Sequence, residues 1–405
     1  MLDIFCYFLL FGFLCGIVSG SEWQKVNSYE GDWSDICSSW NATFLAASAT
    51  KSSSKSGGIY LSFDEGVTWT ASPGASTSLD WFALDCDSTG RRLIAAELNT
   101  GYYISDDFGM NWNKTLDIAS VSTNDLSVCM TSSGQYVVAA TAGEGIFVSS
   151  TYGTNWTLSS FPTGCEWEAV ACSENCSYIL ATCGGSSSSS GMYLSTDLGA
   201  TYTNDRYFNL YQAYVSFDAS VMMVADQTAA LYQSLDFGAT WTTVETGAWY
   251  CLAGSKYGQT VVAGMGPFGD ELAFSYDYGN TDSWVVANSV PSGLSWTGAS
   301  VNEDGSIAVA VASGNGIYIN SIAPSQVPSS APSSPTSQPS CNPSTGPTLA
   351  PTGCPGLVSQ LAKLEWQIGK CTRNRRSYCY ERSNVSLGKR GKNQRTVDRM
   401  PTGDQ

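Results

Sequence analysis

The chemistry open to this chain is narrowed first by a missing residue type: its 405 residues include no histidine. That removes every Ser-His-Asp or Cys-His nucleophilic unit and every His-ligated zinc site. Carboxylates are plentiful, with 35 Asp and Glu against 19 Lys and Arg, so hydrolysis of a glycosidic bond by two carboxyl groups is open. No spacing singles out a pair, and none matches a calcium loop. The sequence therefore names no catalytic residue, no metal ligand and no cofactor. The side chains best suited to meet a ligand are Asp32, Asp80, Asp125 and Glu166, with the run Asp205-Arg206-Tyr207-Phe208. Acids beside aromatic surface suit a sugar ring or a peptide. Solvated loop acids are the plainer reading of the same residues.

What must position them is a repeat. The pattern Ser-x-Asp-x-Gly-x-Thr-Trp stands at Ser62, Asp64, Gly66, Thr68 and Trp69. It returns at Ser105, Asp107, Gly109 and Trp112, and at Ser149, Thr151, Gly153 and Trp156. Further copies hold Asp197 and Gly199, then Asp236, Gly238 and Trp241, then Asp277, Gly279 and Trp284. The six serines are 43, 44, 46, 39 and 41 residues apart, the length of one four-stranded propeller blade. Each period also has an aromatic opener (Trp33, Trp81, Trp167, Tyr211, Trp249, Trp296), an apolar strand and a Gly-flanked strand. The chemistry of the repeat is structural. Asp and Ser cap backbone N–H groups in a tight turn, Gly supplies positive φ, and the Trp is expected to dominate by burying its indole.

These residues resemble the Asp-box, or bacterial neuraminidase repeat, of sialidases, sortilin-type receptors and photosystem II stability factors. The resemblance covers roughly residues 23–322 and implies a β-propeller with the boxes between the third and fourth strands of each blade. For a sialidase it implies a three-arginine clamp on the substrate carboxylate, a Tyr/Glu nucleophile pair and an acidic Asp. Before residue 353 the chain has only Arg91, Arg92 and Arg206. Arg91 and Arg92 are read as strand neighbours facing opposite sides, so the clamp is excluded. Xyloglucan-cleaving enzymes with similar boxes are larger, with two propellers. Photosystem II stability proteins use surface arginines, of which this domain has too few.

Six boxes belong to seven blades. Trp296, the strand GSIAVAVA and Gly316-Ile317-Tyr318-Ile319 reproduce three strands of a seventh period, which then runs into Pro324. Trp23-Gln24-Lys25-Val26 resembles the strand after a box, so residues 22–27 are expected to supply the missing outer strand and close the ring. The expected fold is an all-β, seven-bladed β-propeller over residues 21–322. With boxes on one face, Asp32, Asp80, Asp125 and Glu166 are expected as an acidic arc on the other, beside the starts of four innermost strands.

The flanks complete the reading. Residues 1–20 hold an apolar run, Ile4 to Val18, that reads as a cleaved signal peptide, with an uncleaved anchor as the alternative. Residues 323–352 are a Pro/Ser/Thr-rich linker and residues 353–405 a basic, Cys-containing tail, largely disordered. Residues 1–352 hold 8 basic and 31 acidic side chains, a balance of −23; residues 353–405 hold 11 and 4, a balance of +7. The acidic body excludes nucleic acid as a partner. Sequons at Asn41, Asn113, Asn155, Asn175 and Asn384 and twelve cysteines after the leader fit a secretory route. Cys165, Cys172, Cys176 and Cys183 are expected to form one or two local disulfides, with the connectivity open. Cys37, Cys86 and Cys129 fall on successive innermost strands, either paired or as small core side chains. The expectation is a monomeric secreted or cell-surface propeller that binds an extracellular protein or a glycan. The alternatives are a carboxylate-based glycoside hydrolase and a lumenal assembly factor.

Overall fold

The computed structural model describes residues 22–321, apart from 27–30, 53–54, 119–125, 142, 185–189, 206–209 and 267–270. The signal peptide, linker and tail expected from the sequence, with Asn384, lie outside the described residues, as do Asp125, Arg206, Tyr207 and Phe208. Within them stand seven antiparallel sheets of four strands each. The innermost strands are β2 (Asp32–Ser38), β6 (Trp81–Cys86), β10 (Leu126–Met130), β14 (Trp167–Cys172), β18 (Leu210–Val215), β22 (Trp249–Gly254) and β26 (Ser295–Val301). Each touches the next, and β26 returns to β2, so the sheets close a ring. Among the described residues no helix is long and apolar enough to cross a membrane.

Ring closure follows the sequence expectation. Strand β1 (Gln24–Lys25) pairs with β28 (Gly316–Ser321), Gln24 opposite Ile319 and Lys25 opposite Tyr318. Val26 donates its N–H to the Ile317 carbonyl at 3.0 Å, and Trp23 is buried in the seventh blade.

The second strand of each blade is buried on both faces, as in β7 (Leu93–Glu97, LIAAE) and β11 (Val137–Thr141, VVAAT). Such strands read as apolar runs with no alternation. Their central alanines let neighbouring sheets approach face to face. In six of the seven innermost strands the register slips just after the opening residue, for example between Trp33 and Asp35 and between Trp296 and Gly298. The extra residue of such a bulge is free to reach a neighbour. Ser34 donates to the Trp81 carbonyl at 2.8 Å, and Thr297 to the Trp33 carbonyl at 2.9 Å.

The repeated turn works as its residues predict. Ser62 Oγ accepts the Gly66 N–H at 2.9 Å, while Asp64 accepts the N–H of Thr68 at 2.8 Å and its hydroxyl at 2.6 Å. Gly66 and its five counterparts have φ between 75° and 84°. The residue before each glycine (Glu65, Phe108, Tyr152, Leu198, Phe237, Tyr278) is also left-handed, with φ from 58° to 61°. That conformation costs a bulky residue about 1–2 kcal/mol. Packing offsets the cost at three turns: Phe108 meets Phe44 of the previous blade, Phe237 meets Tyr178, and Tyr152 lies under Arg92.

Three expectations need correction. The indoles that dominate the core are the blade openers, not those of the repeated turns: Trp33, Trp81, Trp167, Trp249 and Trp296 are at most 1% exposed. Trp69, Trp112, Trp156, Trp241 and Trp284 are only half-buried, because the outer strand they begin has solvent on one side. In the fifth blade the buried opener is Leu210, which pairs at the Trp level, while Tyr211 is the bulged residue. Arg91 and Arg92 precede β7 in a turn and do not alternate along a strand.

Candidate functional site

The connection from the first to the second strand is a six-residue turn with a common design. In Ser39–Phe44, Ser39 donates its N–H to the Phe44 carbonyl at 2.9 Å and its hydroxyl accepts the Phe44 N–H at 3.1 Å. Asn41 Oδ1 accepts from Ser39 Oγ, Thr43 N and Thr43 Oγ1. Asp218 and Asp304 do the same for Ser220 and Ser306, and Asn175 for Ser177. The N-x-S/T spelling at Asn41 and Asn175 therefore serves the turn, whose aspartate versions use the same hydroxyl.

The second residue of each turn builds a belt of hydrogen bonds around the ring. Trp40 N donates to Ser88 O at 2.8 Å, and Ser88 N to Ser132 O at 2.9 Å. Ser132 N then donates to Glu174 Oε2 at 2.7 Å, a carboxylate taking the place of a carbonyl. Glu174 N reaches Phe217 O at 3.0 Å, Phe217 N reaches Lys256 O at 2.7 Å, and Lys256 N reaches Glu303 O at 3.1 Å. Glu303 N returns to Trp40 O at 2.9 Å. One residue per blade is thereby fixed at the rim.

This rim crowns a cavity of about 650 Å³, lined by the far halves of all seven innermost strands and by the belt residues. Strand register shows which face it opens on. Ser38 pairs with Leu45, and Leu45 with Ser62, so the end of the innermost strand lies level with the repeated turn. The cavity mouth and the repeated turns thus share one face. Aromatic and apolar side chains crowd it: Trp40 is 55% exposed, Tyr257 52%, Phe63 51% and Tyr152 45%. Lys256 pairs with Glu303 and lies 4.5 Å over the Phe217 ring.

The acids expected at the strand starts stand there, away from the cavity mouth: Asp32 opens β2, and Asp80 and Glu166 directly precede β6 and β14. Asp32 pairs with Lys55 at 3.3 Å, Asp80 accepts the Lys51 N–H at 2.7 Å, and Glu166 is exposed. None of the three lines the cavity. The acids that do are Asp35, Asp85, Glu174 and Glu303, none of which sequence reasoning singled out. Their signal was present in part, since each of the two glutamates is the second residue of a recurring turn.

Asp35 and Asp85 are the two carboxyls deepest in the wall. Asp35 accepts N–H groups from Ile36 at 2.8 Å and from Leu84 of the next blade at 2.9 Å. Asp85 accepts from Cys86 at 2.8 Å and from Met130 of the next blade at 2.7 Å. Burial raises each pKa to about 7, against the pull of those N–H groups and, for Asp35, with help from the neighbouring Asp85 charge. Both oxygens of each carboxyl are thus turned into the wall, joining blade to blade.

A pH dependence follows. A carboxyl whose folded pKa lies above its unfolded value stabilises the fold fully below about pH 4, and loses that contribution as pH rises through about 7. With channel water allowed for, each group is worth about 1–2 kcal/mol across that window. The double variant Asp35→Asn/Asp85→Asn, compared with the unaltered chain by urea unfolding at pH 4.5 and pH 8, should gain relative stability at the higher pH. A difference independent of pH would remove the assignment.

Disulfides brace the same wall. Cys165 pairs with Cys183 inside the fourth blade, as expected of a local bridge, but Cys172 pairs with Cys129 of the third blade. Cys176 is a buried free thiol. One local bridge therefore forms among the four, while Cys172 ends its strand facing the adjacent blade.

No protein-family model matches the chain, and no curated protein matches it. Solved structures do. YCF48 from Cyanidioschyzon merolae is 14% identical with a TM-score of 0.55, covering 75% of this chain and 99% of its own. A YCF48 bound to D1 peptide is 12% identical, TM-score 0.57, over 76% and 98% of the two chains. The GH74 xyloglucanase of Xanthomonas campestris is 15% identical, TM-score 0.55, over 74% of this chain and 53% of that one. Likeness at such identities carries the architecture: the chain folds as a seven-bladed β-propeller.

Proposed function

We propose that this chain is a binding propeller that captures a segment of a protein partner on the face where the cavity opens. In this reading the six repeated turns are Asp-boxes, and the protein acts outside the cell or in a lumen after its leader is removed, with glycans on exposed sequons. The observation that carries it is the group of exposed aromatic side chains on the face where a preformed cavity opens, with Trp40 at the cavity itself. Aromatic residues over a concave, partly polar site are the composition of recognition surfaces, and monomers seldom expose such groups together without use. The YCF48 propeller solved with a D1 peptide gives a precedent for a propeller of this shape holding a chain segment.

A glycoside hydrolase is the second reading, supported by the raised pKa values of Asp35 and Asp85 and by the GH74 likeness. Against it, a general acid or nucleophile must offer an oxygen to substrate, and all four oxygens here already accept wall N–H groups. A displayed peptide library and a glycan array, probed with the purified chain, separate the readings. Peptide binding weakened about tenfold or more by Trp40→Ala or Tyr257→Ala, at unchanged melting temperature, supports protein capture. Glycan turnover abolished by Asp85→Asn would overturn it.

A further inference from the structure

The innermost strands bring residues of neighbouring blades together at a fixed level. The level of the repeated serine on strand three is occupied on strand one by Ser38, Cys86, Met130, Cys172 and Gly254 in the first, second, third, fourth and sixth blades. At four seams the preceding residue of one blade reaches the next blade's residue at this level. Cys129 is bonded to Cys172. Asp85 accepts the Met130 N–H. The Tyr214 ring covers Gly254, where an added Cβ would lie 2.4 Å from it. Across the closing seam, Ser300 and Ser38 hydroxyls are 2.8 Å apart.

By the same rule the residue of the first blade that meets Cys86 is Cys37. Both are buried free thiols in one cluster, each a close neighbour of the other. Ser300 with Ser38 shows that this position brings two side chains of that size into contact. Cys129 with Cys172 shows that a disulfide spans it, with a Cα separation of 6.4 Å, inside the usual range of about 4.4–6.8 Å.

We infer that Cys37 and Cys86 are a second inter-blade disulfide site, the counterpart two blades earlier of Cys129–Cys172. The oxidant is a small-molecule disulfide such as oxidised glutathione. As the chain folds, one cysteine thiolate attacks a sulfur of that disulfide and releases the first glutathione thiolate. The second cysteine then displaces the other, so two protein thiols give up two electrons and two protons and one glutathione disulfide becomes two thiols. With Asp85 bonded to the Met130 N–H between them, the two bridges form one continuous brace from the first blade to the fourth along the cavity wall.

The test is a non-reducing peptide map of the full chain, refolded in reduced and oxidised glutathione and then alkylated under denaturing conditions. Molecules with Cys129–Cys172 closed should also contain the peptide of Cys37 linked to that of Cys86, while Cys176 and Cys251 carry alkyl groups. Replacing Cys37→Ser should leave Cys86 alkylated with Cys129–Cys172 still closed. Should that variant not fold, the map of the unaltered chain decides alone. Alkyl groups on both Cys37 and Cys86 in molecules with the other bridge closed, or a link from either to a different cysteine, would overturn the inference.

Discussion

Removing residues 22–26 lowers the melting temperature of the propeller by about 10 °C. The segment is short, and only Gln24 and Lys25 are paired in the sheet. Its weight comes from what it covers. Trp23 is 3% exposed against the seventh blade, and its backbone N–H donates to Ser289 Oγ at 2.8 Å. An indole buries about 200 Å², worth about 5 kcal/mol as an upper bound at about 25 cal/mol per Å². The backbone bonds add about 1 kcal/mol each. A further consequence is topological. Without β1, strand β28 becomes an open edge and the deleted protein should self-associate. Trp23→Ala should carry most of the thermal loss, and Val26→Pro a smaller part through the bond to Ile317. Melting by circular dichroism, with size-exclusion chromatography beside it, reads both effects. A deleted chain that melts within about 2 °C of the unaltered one would show that the closing strand holds nothing.

That closure was legible because it rests on local chemistry. Trp23-Gln-Lys-Val repeats the pattern of a fourth strand, and a seventh period lacking its fourth strand has one place to find it. Blade number was legible for the same reason: Ser-x-Asp-x-Gly satisfies its hydrogen bonds within eight residues, so the sequence must spell it out each time. The site was not legible in this way. Trp40, Ser88, Phe217 and Lys256 share a backbone position and no side-chain chemistry, because there the belt joins main chains and leaves the side chains free to differ. Asp35 and Asp85 lie on strands whose acids could point anywhere until the bulge after Trp33 and Trp81 sets their direction. The acids read from the sequence lie at the strand starts, as expected, but the cavity opens at the other end; Asp32 and Asp80 there bind Lys55 and a Lys51 N–H locally. Repetition of a turn is written in residues, whereas convergence of unlike residues on an axis is written only in the ring.

The largest single-residue effect should fall on a blade-opening indole. In the second blade Trp81 is 1% exposed, donates its ring N–H to the Ser76 carbonyl at 3.0 Å, and meets Tyr103 edge-on with ring centroids 5.2 Å apart. Trp81→Ala should cost about 3–5 kcal/mol, because the sheets on both sides are already in contact and cannot collapse into the space. Trp112, from the repeated turn of the same blade, is half-buried, and its ring N–H is shared between Gly109 O at 3.1 Å and Ser72 Oγ at 3.0 Å. Trp112→Ala loses packing on one side only, about 1–2 kcal/mol, and leaves a rim that water can fill. The two rings are 5.8 Å apart, so the double variant should cost less than the sum of the singles. Urea unfolding of the three variants measures all of this at once. If Trp112→Ala proved the more damaging, the stability of each blade would reside in its repeated turn, and the inner wall that shapes the cavity would be a passenger on it.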